Sequence, residues 1–417
     1  MSHRPQTLRG HRGKISEPLR SPLLRCHTSR LVRTCGQRAR GGPAAAGGGE
    51  QAHASTACVQ PQSLRGIVFE LLRKDLGDRR AVGPDAASGA HAVIVRVSVP
   101  SRVHLTLIDL GRAGYRRNGG VGFGIAAPRS TLAFAPHPGV DLRALASCSY
   151  LPAEIASLTE RLEHLMGQRQ LTQGLRLVEV QLPARHAGFG TGTAVALASL
   201  ESLFLLNDVS VSPAYLRAHC GRGGASGIGL SSYFQGGFIF DAGRRFNPAP
   251  IVGSDATDEV REPPLEMARL AMPDWPMGVL VPPGASAISL AQEQAFFAQR
   301  LPLPDADVFE ITYHALFGTL AAIHACDYAA FCASINALQR CAWKRAEIDL
   351  HGPTVRACAA HLASIGCDAV AMSSIGPALI FWARDFDAAF AAATRQYGPS
   401  AVFRTRPDNT GRILSHD

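Results

Sequence analysis

Between Asp109 and Arg117 the chain reads DLGRAGYRR, placing one carboxylate and the guanidinium groups of Arg112, Arg116 and Arg117 on a short glycine-bearing stretch. A guanidinium grips phosphate or carboxylate through two parallel hydrogen bonds, so this stretch has the residue types of an anion clamp as well as those of a solvated hairpin tip. A second stretch, GFGTGTAVALASLE from Gly188 to Glu201, sets glycines and threonines directly before an apolar run. The free N–H groups of a helix start behind such a loop bind phosphate, and the plainer reading is a helix capped by Thr191 or Thr193. A third, GRGGASGIGLSSYFQGGFIFD from Gly221 to Asp241, holds more glycine than an ordinary helix tolerates, at close to 1 kcal/mol each relative to alanine. Close approach of backbone to a ligand is the usual reason for such a concentration. The fourth, SSIGPA from Ser373 to Ala378, reads by itself as a turn.

The elements that must position these stretches can be read around them. HAVIVRVSVPSRVHLTL, from His91, alternates as strands broken at Pro100, with His104 on the second of them. LRLVEVQL, Leu175 to Leu182, reads as a strand running into Pro183 and the glycine loop; Leu197, Leu200 and Phe204 then share one face of a helix that stops at Asn207. Strand, loop and helix therefore follow in the order that a phosphate site requires. After a stretch rich in proline, glycine and charge between Asp241 and Leu265, MGVLVPP opens a second set of elements. Helical patterns follow at 290–300, 308–326, 328–344 and 354–365. Strands DAVAMSS and ALIFWA, a helix near Phe386 to Arg395 and a strand SAVFRTR complete it. The expectation is an α+β chain: a basic disordered leader at 1–90, a phosphate-binding domain at 91–245, a connection at 246–270 and a second α+β domain at 271–417.

Composition limits the function. The 417 residues carry a net charge of +9, of which residues 1–60 hold +8, leaving a nearly neutral body. A nucleic-acid binder would show a basic face on its folded part, so neither nucleic acid nor, without a run of about 18 uncharged apolar residues, a membrane is an expected partner. The Arg-rich leader fits a transit-like segment or an upstream-extended start. The ten cysteines show neither paired C-x-x-C nor zinc-finger spacing, which is the usage of a reducing cytoplasm and predicts no bound structural metal.

Taken together the four stretches resemble the GHMP kinase superfamily. Asn118-Gly119-Gly120 stands for the loop before its Gly-Gly pair. PARHAGFGTGTA, Pro183 to Ala194, stands for its P-x-x-x-G-L-G-S-S-A loop, and Ser373 to Ala378 for its S-G-S-G-P-T turn. RVHLTLIDLG and the Gly221 to Asp241 segment are similar to one branch that is not a kinase, the beta-ribofuranosylaminobenzene 5'-phosphate synthases, over about Arg96 to Arg412. The resemblance implies a GHMP-kinase-like fold, a ribosomal-S5-like domain followed by a ferredoxin-like one, in a homodimer. It also implies condensation of phosphoribosyl pyrophosphate with 4-aminobenzoate or 4-hydroxybenzoate, releasing pyrophosphate and carbon dioxide, with magnesium carried by the donor.

In that chemistry the sugar becomes cationic, and Asp109 is the carboxylate expected to steady it. Arg116 is expected to hold the departing pyrophosphate or the benzoate carboxylate. Binding is expected from Arg117, Gly119, Gly120, His186, Gly188, Gly190, Thr191, Gly192, Thr193, Arg222, Gly223, Gly224, Ser226, Gly227, Ser374 and Gly376. The alternative is an ATP-dependent small-molecule kinase. Thr191-Gly192 stands where the kinases have adjacent serines, which removes a hydroxyl used around magnesium and nucleotide. Ala194 and Val195 stand where the synthase branch has a polar residue.

Overall fold

A computed structural model describes residues 93–112, 114–222, 224, 227–247 and 262–416. The leader expected at 1–90 lies outside them, as does most of the expected connection. The first sheet is built on two long strands, β1 (Val95–Asp109) and β2 (Arg116–His137), paired antiparallel along almost their whole length. To them are added β3 (Val140–Asp141), β4 (Gly174–Gln181), β5 (Phe238–Asp241), β6 (Arg244–Arg245) and β7 (Glu266–Leu270). A second sheet is formed by β8 (Met277–Leu280), β9 (Ala369–Met372), β10 (Leu379–Trp382) and β11 (Val402–Thr405), in the order β11-β8-β10-β9 and antiparallel throughout. The chain then returns to the first sheet through β12 (Pro407–Asp408), on β2, and β13 (Ile413–His416), on β1. Mixed helices over two mainly antiparallel sheets are the expected α+β class.

Pro100 does not break β1. Its partner β13 pairs only with Val95 to Ser98, so at residue 100 that edge of β1 asks for no N–H, and the irregularity is absorbed as a bulge at Pro100/Ser101. The first half of β1 packs Val95, Val97 and Val99 against the helix Thr191–Leu205. The second half packs Val103, Leu105 and Leu107 into a cluster shared with Met277, Val279 and Trp382 of the second sheet. Phe123 of β2 meets Trp382 there at 6.2 Å. One strand thus carries both cores, and the stretch between them, around Arg102, faces the glycine loop.

The helix Thr191–Leu205 is buried on every side from Ala194 to Phe204 rather than on one face, because the sheet, the helix Ile228–Gln235 and the helix Pro152–Gln168 enclose it. Glu201 on it is buried and bound by Arg412, at 2.6 and 2.5 Å, and by the Tyr233 hydroxyl at 2.7 Å. The helical pattern expected at 328–344 is divided at Cys341 into Tyr328–Arg340 and Ala342–Asp349. The pattern at 308–326 is a helix from Asp305 to Tyr313 continuing through a π-helical segment, His314–Leu320, into Ala321–His324. No helix among the described residues is long and apolar enough to cross a membrane.

Replacing Arg412 with Met leaves the Glu201 carboxylate buried against a single hydroxyl. A loss of about 3 kcal/mol in unfolding free energy is expected from urea denaturation, the cost of stranding one member of a buried ion pair.

Candidate functional site

The glycine loop ends β4 and starts the buried helix. Its last residue, Gly190, is the N-cap in the left-handed conformation (φ 77°), and no side chain caps the helix. The reading of Thr191 or Thr193 as caps is thereby replaced. A helix start leaves its first N–H groups without intrahelical partners, and here they face a cleft of about 380 Å³. The loop is fixed from both sides. The Arg102 N–H donates to the Phe189 carbonyl (3.0 Å), its guanidinium to the Gly188 carbonyl (2.6 Å), and the Ser373 hydroxyl to the same Gly188 oxygen (2.7 Å). At Gly188 (φ 95°) any Cβ would run into the Ser373 carbonyl, so glycine is required there.

The cleft gathers His186, Gly188, Gly190, Thr191, Gly192, Arg222 and Ser374 of the expected residues. Arg222 lies across Gly192, whose added Cβ would come to 2.8 Å from the guanidinium, and Arg161 covers Gly221 in the same way. Among the lining residues not anticipated are Arg102, Tyr150, Arg161, Arg185 and Glu293. Arg102 follows the opening proline of a strand motif, and Arg185 directly precedes His186, so sequence position hinted at both. Tyr150, Arg161 and Glu293 come from remote segments and carried no local signal. Arg185 is committed to Glu154 (2.9 and 2.5 Å) and stacks over the Tyr150 ring at 3.8 Å. The Tyr150 hydroxyl and the Thr191 hydroxyl are buried without a protein partner, the condition of groups that await a ligand.

The cleft is electropositive at a cost. Burial, then Arg222, pulls the Arg102 guanidinium down to about 10, which leaves it charged at neutral pH. Burial pushes the Glu293 carboxyl up while Arg222 and Arg102 draw it back. His186 is held below the usual imidazole range by burial and Arg185. His104 is buried with its Nε2 unpartnered beneath Gly120, off the cleft, and burial beside Arg102 and Lys344 keeps it neutral.

Of the remaining expected residues, Asp109, Arg116, Arg117, Gly119 and Gly120 lie on the β1–β2 hairpin, and none of the other described ones is on the cleft wall. Asp109 ends β1, receives the Gly111 N–H at 3.4 Å and is raised by burial and by Asp305. Arg116 donates to the carbonyls of Ala242 (3.1 Å) and Gly243 (2.6 Å), and Arg117 to that of Asn247 (3.0 Å). Gly119 and Gly120 allow β2 to pass close to Asp241 and His104, and Thr193 packs against Gly229 in the next helix. Gly376 (φ 80°) turns the chain between β9 and β10. Gly223 and Ser226 lie outside the described residues.

The third glycine segment links the two regions. Gly221 and Arg222 line the cleft, while the Gly224 carbonyl, two residues on and so within about 7 Å along the backbone, accepts from the Asn118 side chain (2.8 Å) and from Arg244 (2.9 Å). Asn118 is the cross-strand partner of Asp109. At the end of this segment the buried Asp241 carboxylate accepts the N–H of Gly227 (2.5 Å) and of Gly243 (2.7 Å). The glycines of this segment, expected to exclude a helix, instead flank and enter a short one, Ile228–Gln235, that packs on the helix Thr191–Leu205.

Burial pushes Asp241 up to about 6, against those hydrogen bonds. A carboxyl raised in the folded state contributes stability below its unfolded pKa and loses it as pH rises through about 6. Relative to Asp241→Asn, the wild type is therefore expected to be more stable at pH 4.5 than at pH 7.5, read as the difference between the two melting temperatures at each pH. Arg222→Met is expected to weaken binding of inorganic pyrophosphate by about 30-fold, roughly 2 kcal/mol for a lost charge-assisted contact, measured by titration calorimetry.

No family model matches the chain. It is 28% identical over 326 residues to the beta-ribofuranosylphenol 5'-phosphate synthase of Methanothermobacter thermautotrophicus, which spans 76% of this chain and 98% of that one. Identity to the synthase of the same name from Archaeoglobus fulgidus is 28% over 286 residues, 68% of this chain and 86% of that one. In fold it is similar to homoserine kinase from Cytophaga hutchinsonii, with a TM-score of 0.55 at 14% identity, covering 79% of this chain and all of the other.

Proposed function

We propose that the chain, similar in sequence to the beta-ribofuranosylphenol 5'-phosphate synthases and in fold to homoserine kinase, joins phosphoribosyl pyrophosphate to a para-substituted benzoate in methanopterin-type cofactor synthesis. The observation that carries this reading is the uncapped helix start facing Arg102 and Arg222, with a glycine segment leading from it to the Asp109 hairpin. Such an arrangement suits a donor with a charged diphosphate at one end and a sugar at the other. The relatives' name carries a phenol, which fits 4-hydroxybenzoate; 4-aminobenzoate offers the same ring electronics.

The electron balance is simple. The hydroxyl or amino group enriches the ring carbon para to it, the one bearing the carboxylate. That carbon forms the new bond to the anomeric carbon as the bond to pyrophosphate breaks. Loss of carbon dioxide then returns the electron pair to the ring, so no ring proton has to be removed. Arg102, Arg222 and the helix start stabilise the charge gathering on pyrophosphate. Asp109 is proposed to face the cationic sugar, and Arg116 to orient the benzoate carboxylate or the leaving group.

Magnesium would come with the donor. The residues fit it: Glu293 and the unpartnered Thr191 hydroxyl are hard oxygen donors on the cleft wall, where magnesium takes few protein ligands beside phosphate and water. When bound it would neutralise diphosphate charge. Assembly as a homodimer belongs to the same proposal.

Incubation with phosphoribosyl pyrophosphate, magnesium and carboxyl-labelled benzoate should release labelled gas only when both substrates are present. ATP turnover without that release would favour the kinase, which the fold alone supports. Asp109→Asn should lower kcat by about 100-fold or more with little change in donor KM, as for a group acting only on the transition state. If Glu293→Gln shows that pattern and Asp109→Asn does not, the acid is the one on the cleft wall.

A further inference from the structure

Away from the cleft, the side chains of Glu310, His314 and Cys341 bring one carboxylate oxygen, one imidazole nitrogen and one sulfur within 4.8 Å of one another. Glu310 and His314 stand one helical turn apart, where i and i+4 share a face. Cys341 arrives from the break between the helices Tyr328–Arg340 and Ala342–Asp349. Sequence spacing gave no hint of a metal, because the third ligand is separated from the other two by an entire helix and only the fold brings it in.

We infer that these three residues form a zinc site. Carboxylate, imidazole and thiolate together are the borderline-soft donor set that zinc takes and that magnesium does not. Ligand atoms around a tetrahedral zinc lie about 3.3–3.8 Å apart, given bonds of about 2.0–2.3 Å. The exposed Glu310 can close the remaining gap by rotamer adjustment. Burial grades across the cluster, from the buried Cys341 through the half-buried His314 to the exposed Glu310, so a fourth position opens to water. His314 is also where the helix widens into its π-helical segment, a local distortion that often accompanies functional sites. The Thr319 hydroxyl reaches the His314 carbonyl at 3.3 Å, and the Tyr313 ring stands edge-on to the imidazole at 5.6 Å.

In the metal-free protein Cys341 is a thiol, directed at the Ala337 carbonyl at 3.5 Å; burial, then Glu310, pushes it up to about 11. Zinc would displace its proton to solvent and leave a thiolate and a carboxylate to balance the dication. The site would tie the Asp305–Leu320 segment to the start of the helix Ala342–Asp349. That helix carries Lys344, whose ammonium donates to the Ser374 carbonyl at 2.8 Å on the cleft wall. The zinc is therefore a staple behind the cleft, independent of what the cleft binds.

Chelator-treated protein titrated with cobalt(II) should show a saturable thiolate-to-cobalt charge-transfer band at one equivalent, displaced by zinc, with zinc also raising the melting temperature. Cys341→Ser should abolish the band. His314→Ala and the exposed Glu310→Gln should each weaken binding by more than the roughly 10–100-fold that loss of an outer-shell partner costs, with phosphoribosyl pyrophosphate binding unchanged. Absence of a saturable band, or a band that survives Cys341→Ser, overturns the assignment. Should the serine variant fail to fold, unaltered cobalt affinity in the other two overturns it equally.

Discussion

The molecule depends on a clasp at Gly188. Its carbonyl oxygen is shared by the Arg102 guanidinium and the Ser373 hydroxyl, and the Ser374 N–H closes onto the His104 carbonyl at 2.7 Å. Three segments far apart in the chain, one from each sheet and the loop between them, are held by polar bonds where no side chain could be inserted. A loop of glycines has little stiffness of its own, since glycine loses more conformational freedom on ordering than any other residue. Its shape is imposed from outside by β1 and by the turn after β9, and the two hydrophobic clusters that grip β1 on either side of Arg102 supply the rigidity.

That construction explains the distribution of charge. Arg102, Arg222 and Lys344 sit together with Glu293 and Glu347 in a region where burial moves every one of them toward its neutral form. Buried ions of this kind are weak contributors to stability. In the proposed reaction they would act as a field kept in place for an incoming anion, aligned before it arrives so that little reorganisation is needed when charge moves.

What the sequence disclosed was local in origin. The order strand, glycine loop, helix is written in consecutive residues, and the seven cleft residues it yielded, from His186 through Thr191 and Gly192 to Ser374, belong to motifs with internal spacing. Arg161, Tyr150 and Glu293 come from elements with no such mark and meet only because the core clusters fold them together. Pro100 misled because proline is tolerated where a neighbouring strand has already ended, a fact of pairing and not of composition. The glycine segment was legible as something requiring explanation, but its geometry, joining Arg222 on the cleft to Asn118 at the hairpin, rests on a loop carbonyl that periodicity cannot reveal.

β13 lies beside the opening of β1, with Val95 opposite His416 and Ser98 opposite Ile413. Four residues, Ile413 to His416, therefore complete the margin of a sheet whose two long strands lie hundreds of residues earlier in the chain. Until β13 has been made, the β1 edge at Val95 to Ser98 has no ladder on that side, which is the situation that invites pairing with another chain. The hydrophobic clusters of the first sheet can gather before then, but its border closes only when β13 arrives.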